Sequence, residues 1–217
     1  MSARHAVTEP LTLLVIAKEP VPGRVKTRLT PPYTPHEAAA LAEAALTDTL
    51  HAVLQVPAHR RLLVLDGCPG PWLPPGFDVV PQVSGALDER IAAAFAHCGH
   101  GPALLVGMDT PQLTPDHLAG VGRDGHDAWF GPAADGGFWA LGLAEPARAK
   151  TLVRGVPMST DRTGSIQRAR LTTAGLKVAD LPVLRDVDTA ADAAEVAACC
   201  PPGSRFTTVL GRAEAAR

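Results

Sequence analysis

The eleven residues from Lys18 to Arg28 carry four cations, Lys18, Arg24, Lys26 and Arg28, on a turn braced by Pro20 and Pro22. Arginine offers a planar pair of donors and lysine a point charge, and Gly23 lets backbone N–H groups approach an anion. Such a loop, with the Thr27 hydroxyl among its cations, suits a pyrophosphate. It is neither a Walker loop, since GxxxxGK[ST] is absent, nor a dinucleotide fingerprint, since no GxGxxG follows. The plain alternative is a solvated basic loop.

Three further segments carry acids. In Gly107-Met108-Asp109-Thr110-Pro111 a carboxylate emerges from an apolar run and is pinned by a proline. Mg²⁺ or Mn²⁺ needs only one or two protein carboxylates when phosphate oxygens and water fill its other positions, so Asp109 suffices as an anchor. A turn or N-cap aspartate is the structural alternative. In Asp186-Val187-Asp188-Thr189 two acids lie two residues apart. They could supply a second metal ligand, although Asp188 or Thr189 could equally only cap the helix that follows. The turn Asp135-Gly136-Gly137-Phe138 presents a carboxylate beside an aromatic wall, as a plain hairpin turn also would. Ser159, Thr160 and Asp161, after Pro157, stand in an expected loop and could contact an acceptor or a metal, or equally serve only as a cap. His97, Cys98 and His100 lack a fourth partner, so zinc is not favoured.

These segments need a scaffold. Leu11 to Ala17, Arg61 to Asp66, Phe77 to Pro81, Ala103 to Gly107, Ala128 to Gly131, Phe138 to Leu143 and Pro182 to Val187 read as strands. Thr34 as N-cap, Pro35 at the first helical position and Glu37 at N3 predict a capping box opening a helix that runs to about Val56. Leu87 to His97, a short turn capped by Thr114, Thr163 to Gly175 and Ala190 to Ala198 read as helices. The alternation predicts a three-layer α/β/α sandwich around a mainly parallel sheet, with ligands outside the carboxyl ends of the strands. Residues 11–200 are expected to form one domain between a flexible stretch at 1–10 and a loosely held tail at 201–217.

Composition narrows the function classes. Twenty Lys+Arg against 22 Asp+Glu give a formal charge of -2, and aromatics are only 4%, which argues against phosphate-coating and base-stacking nucleic-acid binders. With 46% hydrophobic residues the chain can bury a core. No apolar run reaches the length of a membrane span, and four cysteines without CxxC spacing read as thiols, so a cytoplasmic protein is expected. The oligomeric state is not legible.

Taken together, AKEPVPGRVKTRL at 17–29, GMDTP at 107–111, GPAADGGFWALGL at 131–143 and DVDT at 186–189 resemble the motifs of a family of uncharacterised bacterial transferases with the GT-A, or nucleotide-diphospho-sugar transferase, fold. Phe138 stands where that family usually has Tyr, and Met158 where Trp often precedes the Ser-Thr pair. The loop and the DVDT end are also similar to phospholactate guanylyltransferases. The resemblance implies that Arg24, Lys26 and Arg28 bind a nucleotide's phosphates and that Asp109 and Asp188 hold Mg²⁺ or Mn²⁺. Lys26 and Asp135 are the expected catalytic residues, with Asp135, Gly136, Gly137, Phe138, Ser159 and Thr160 facing a small-molecule acceptor. The expected reaction is glycosyl transfer from a nucleotide-sugar, for which Asp135 is the base. The alternatives are nucleotidyl transfer from a nucleoside triphosphate with pyrophosphate release, and a non-catalytic nucleotide-binding module.

Overall fold

The structure, a computed structural model, describes residues 11–123 and 125–217; the expected flexible stretch at 1–10 lies outside the described residues. Seven strands form one sheet in the order β3-β2-β1-β4-β6-β5-β7: β1 (Thr12–Lys18), β2 (Arg60–Asp66), β3 (Asp78–Pro81), β4 (Ala103–Val106), β5 (Ala128–Pro132), β6 (Phe138–Leu143) and β7 (Val178–Asp180). All neighbours pair in parallel except β6, which is antiparallel to both β4 and β5. The helices are α1 (Pro35–Gln55), α2 (Leu87–Phe95), α3 (Ala149–Leu152), α4 (Thr163–Thr173), α5 (Ala190–Cys199) and α6 (Arg205–Ala215).

Alternation along β1 divides the core. Leu13, Val15 and Ala17 pack with Leu46, Leu50 and Val53 of α1, whereas Leu14 faces Ile91 and Phe95 of α2, Leu152 of α3 and Leu171 of α4. Both faces of the central strands are therefore apolar, as strands covered on both sides require. The expected capping box forms: Glu37 N–H donates to Thr34 Oγ1 at 3.2 Å and Thr34 N–H to Glu37 Oε2 at 2.7 Å.

Two expectations are corrected. Pro182 to Val187 is not a strand; the last strand is Val178–Asp180, and the later segment makes one bridge, Leu184 to Ala133. Beyond it the chain leaves β5 and runs along the sheet's carboxyl edge until Val187 N–H donates to Asp109 O at 3.0 Å. A paired strand would have kept Asp186 and Asp188 at the far edge of the sheet; release from pairing brings them to the centre.

The residues expected to be a loose tail instead contain α6, whose Phe206, Leu210 and Ala213 recur at helical spacing and are buried against α1 and α5. Asp48 of α1 anchors its start, accepting from Ser204 Oγ at 2.7 Å and Phe206 N–H at 2.9 Å. The same apolar cluster holds Leu29 and Val187, so α6 supports both the cationic loop and the segment between the two late acids.

Candidate nucleotide site

A cleft of about 830 Å³ opens at the carboxyl edge of the sheet. It is lined by Lys18, Arg24, Lys26, Thr27, Arg28, Asp109, Asp135, Gly137, Phe138, Ser159, Thr160 and Asp188, which gathers every expected site residue except Gly23 and Gly136. Those two shape turns: Gly23 has φ 77° and Gly136 φ 90°, in the left-handed region that favours glycine.

The centre of the cleft is an ion-pair network. Lys26, itself left-handed at φ 48°, sends Nζ between two acids, 2.6 Å from Asp109 Oδ2 and 3.0 Å from Asp188 Oδ1. Arg28 Nη2 lies 2.7 Å from the other oxygen of Asp188. Burial alone would lower the Lys26 pKa, but the charges of Asp109 and Asp188 outweigh it and hold the ammonium above its ordinary value. The capping alternative for Asp188 is resolved by its neighbour: Thr189 caps α5, accepting from Asp192 N–H, which leaves Asp188 to the cations.

Asp186 is the acid of the pair that the sequence offers as a possible metal ligand but that is not among the expected site residues. It lines the same cleft, and its Oδ1 is buried with no hydrogen-bond partner. Burial first, and then the charge of Asp109, pushes its carboxyl up to about 8. The signal was the two-residue spacing to Asp188; the burial could not be seen in it.

Asp109, Asp186 and Asp188, with Asp135 among the charges that act on Asp186, supply oxygen donors only, the chemistry a hard divalent cation takes. The orphaned Asp186 Oδ1 fits such an ion as well. Among the described residues no three His, Cys, Asp or Glu side chains stand together as a ready cage. The donors are of the type Mg²⁺ or Mn²⁺ takes, and in this structure Asp109 and Asp188 turn them to Lys26 and Arg28.

On the other side of the cleft, Asp135 Oδ1 accepts from Gly137 N–H at 2.8 Å, which fixes the turn and leaves the residue exposed. That turn is pressed against the segment from Ser159 to Gly164. Gly164 N–H donates to Gly136 O at 2.8 Å, and a Cβ on Gly136 would collide with Asp161 O, as one on Gly164 would with Gly137 O. Thr160 and Thr163 close the segment through their hydroxyls at 3.2 Å.

Known proteins share this architecture. Phosphoenolpyruvate guanylyltransferase of Salinispora arenicola (strain CNS-205) is 33% identical over 207 residues, spanning 91% of this chain and 89% of that protein. The crystal structure of a candidate nucleotide-diphospho-sugar transferase from Desulfovibrio desulfuricans G20 superposes with a TM-score of 0.85 at 24% identity, covering 94% and 95% of the two chains. The manganese complex of Rv0371C from Mycobacterium tuberculosis H37Rv superposes with a TM-score of 0.53 at 20% identity, covering 86% of this chain and 97% of that one. No helix among the described residues is long and apolar enough to cross a membrane. The α/β fold is that of the nucleotide-diphospho-sugar transferases, and the chain is a transferase belonging to the family described as "Uncharacterized protein conserved in bacteria (DUF2064)", which matches residues 38–160.

Proposed function

We propose that the protein is a metal-dependent nucleotidyltransferase that joins a nucleoside monophosphate unit from a triphosphate, with GTP the first candidate, to a small phosphorylated acceptor. The observation that carries the reading is the cationic loop folded onto Asp109 after β4 and Asp188 before α5, with Lys26 between the two acids and Arg28 beyond. The relative that is 33% identical over 207 residues, a guanylyltransferase, favours nucleotidyl over glycosyl transfer.

An oxygen of the acceptor phosphate attacks the α-phosphorus, the bond from that phosphorus to the bridging oxygen breaks, and pyrophosphate leaves. A phosphate nucleophile is already ionised, so no proton has to be removed. Lys18, Arg24, Lys26 and Arg28 hold the triphosphate, and Lys26 and Arg28 stabilise the charge that grows on the departing pyrophosphate. Gly23 and Thr27 shape and finish the loop. Asp109 and Asp188 would hold Mg²⁺ or Mn²⁺, with Asp186 beside them; when bound, the ion neutralises phosphate charge and aligns donor and acceptor. The turn from Asp135 to Phe138 and the pair Ser159 and Thr160 position the acceptor.

Glycosyl transfer is the second reading, favoured by the exposed Asp135 carboxylate, which could serve as the base an inverting transfer needs. Product analysis separates the two. With Mg²⁺, a nucleoside triphosphate and phosphorylated acids, the expected product is pyrophosphate. Release of a nucleoside diphosphate from a nucleotide-sugar, with no pyrophosphate from any triphosphate, would replace the first reading by the second.

A further inference from the structure

The cleft continues past the cationic loop into an apolar part to which Ile16, Leu87, Ile91 and Leu105 contribute. Ile16 and Leu87 are only partly buried, so apolar surface stays open beside the charges. The loop suits phosphates, and this part suits the flat apolar faces of a nucleobase. Its distance from the loop is set by the sheet. Lys18 pairs with Asp66, and Pro81 with Leu65, so Gln82 stands level with Lys18 two strands away, about 10 Å. A nucleoside triphosphate whose phosphates lie at the loop spans that gap.

Among the described residues that line the cleft, Arg90 of α2 is the one cation outside the loop from Lys18 to Arg28. Its Nη1 donates to Gln82 Oε1 at 3.0 Å. Gln82 Nε2 donates in turn to the carbonyls of Ala17 at 2.6 Å and Val64 at 3.1 Å, which fixes the end of the amide that faces Arg90. Two hydrogen bonds thus tie Arg90 to Ala17, the residue before Lys18. The Arg90 Nε is buried with no hydrogen-bond partner, and among the described residues no carboxylate pairs with this guanidinium. A donor fork with unused N–H groups beside an apolar wall calls for acceptors on a ligand.

We infer that Arg90, oriented by Gln82, reads the base of the donor nucleotide and selects guanine against adenine. A guanidinium has donors only. Guanine offers two adjacent acceptors, O6 and N7, which the planar fork meets together, whereas adenine replaces O6 with an amino group that is itself a donor. The inference rests on the nucleotide-donor reading of the loop and deepens it by naming the group that fixes the base.

The experiment measures equilibrium binding of GTP, ATP, CTP, 7-deaza-GTP and pyrophosphate to the full chain with Mg²⁺. The wild type is expected to bind GTP about 10-fold or more tighter than ATP, the scale of one bidentate base contact, and to bind 7-deaza-GTP, which lacks N7, with an affinity between the two. In Arg90→Met, GTP and ATP bind alike while the affinity for pyrophosphate is that of the wild type, and Arg90→Lys, which keeps the charge but loses the fork, lies between. A wild type that binds ATP or CTP as tightly as GTP, or an Arg90→Met that keeps the preference, overturns the inference. An Arg90→Met that loses pyrophosphate affinity as much as GTP affinity also overturns it, by making Arg90 a support of the loop through Gln82 and Ala17. Pyrophosphate release with GTP and a phosphorylated acceptor, measured alongside, tests the underlying reading. No release with an Arg90-dependent guanine preference retained would end nucleotidyl transfer and leave the base site standing; equal release from GTP and ATP would do the reverse.

Discussion

The two ends of the sheet are both concave and differ in what they collect. At the amino ends, Leu11, Val56, Pro57, Leu118 and Val121 line a hollow of about 390 Å³, with His59 and Arg123 as its polar margin. At the carboxyl ends a cleft about twice as large holds five cations and five aspartates. Strand direction creates the difference. With β1, β4, β5 and β7 all pointing the same way, their following loops leave one edge together, and the residues that end each strand converge there whatever their distance in sequence. Lys26 and Asp188 are 162 positions apart and 3.0 Å distant. The amino-end hollow is shaped by chain that merely returns.

The contrast can be broken most directly at Asp109. Asp109→Ala should lower kcat/KM by about 10³-fold, the scale on which loss of a transition-state electrostatic group is felt, with thermal stability near that of wild type. Steady-state kinetics and a melting curve check both halves; retained turnover would remove Asp109 from the site.

Phe206→Ala tests support from beneath. The cavity should cost about 3–5 kcal/mol of unfolding free energy in denaturant titration, and the affinity for a triphosphate should weaken as well, because Leu29 and Val187 share its cluster. The control sits at the opposite end: Leu118→Ala, also a buried site, should cost about 2–4 kcal/mol yet leave kcat/KM of the folded fraction unchanged. Equal kinetic damage from both would abolish the distinction between the edges.

The smallest effect is expected away from both cavities. Arg168 holds Asp180 through two bonds, 2.8 and 2.7 Å, and the hydrogen bond from Arg168 keeps the Asp180 carboxyl below its ordinary range. A lowered folded-state pKa gives stability that is present above the unfolded value near 4 and is lost as the pH falls through the folded value. The pair is solvent-exposed, so the contribution is below about 1 kcal/mol. Melting temperatures of wild type and Asp180→Asn should therefore converge on acidification from neutral pH, with activity at neutral pH the same.

What the sequence disclosed depended on whether its signal was local. The capping box at Thr34 and Glu37 and the apolar run of β1 are local, and the elements appear where those signals place them. The loop from Lys18 to Arg28 and Asp109 were recognisable because each combines a strand end with chemistry. The path of 182–187 was not legible, since its residues suit extended backbone and the contacts that hold it off the sheet, Val187 N–H to Asp109 O and Gln112 Nε2 to Arg185 O among them, are tertiary. Helix α6 was legible in principle, from Phe206, Leu210 and Ala213, but its polar neighbours and terminal position hid the stripe. The burial of Asp186 arises from tertiary approach alone.

The contact between the Asp135–Gly137 turn and the segment around Gly164 bears on how this protein could be re-engineered. Two stretches of backbone separated by the whole of β6 and by α3 meet without room for a methyl group between them. They behave as one part made from two pieces of sequence. Recombination that exchanges either piece with a relative, while leaving the other, would put together surfaces shaped for different partners. A library meant to change the acceptor must cross over before Ala133 and after Gly164 as a single block.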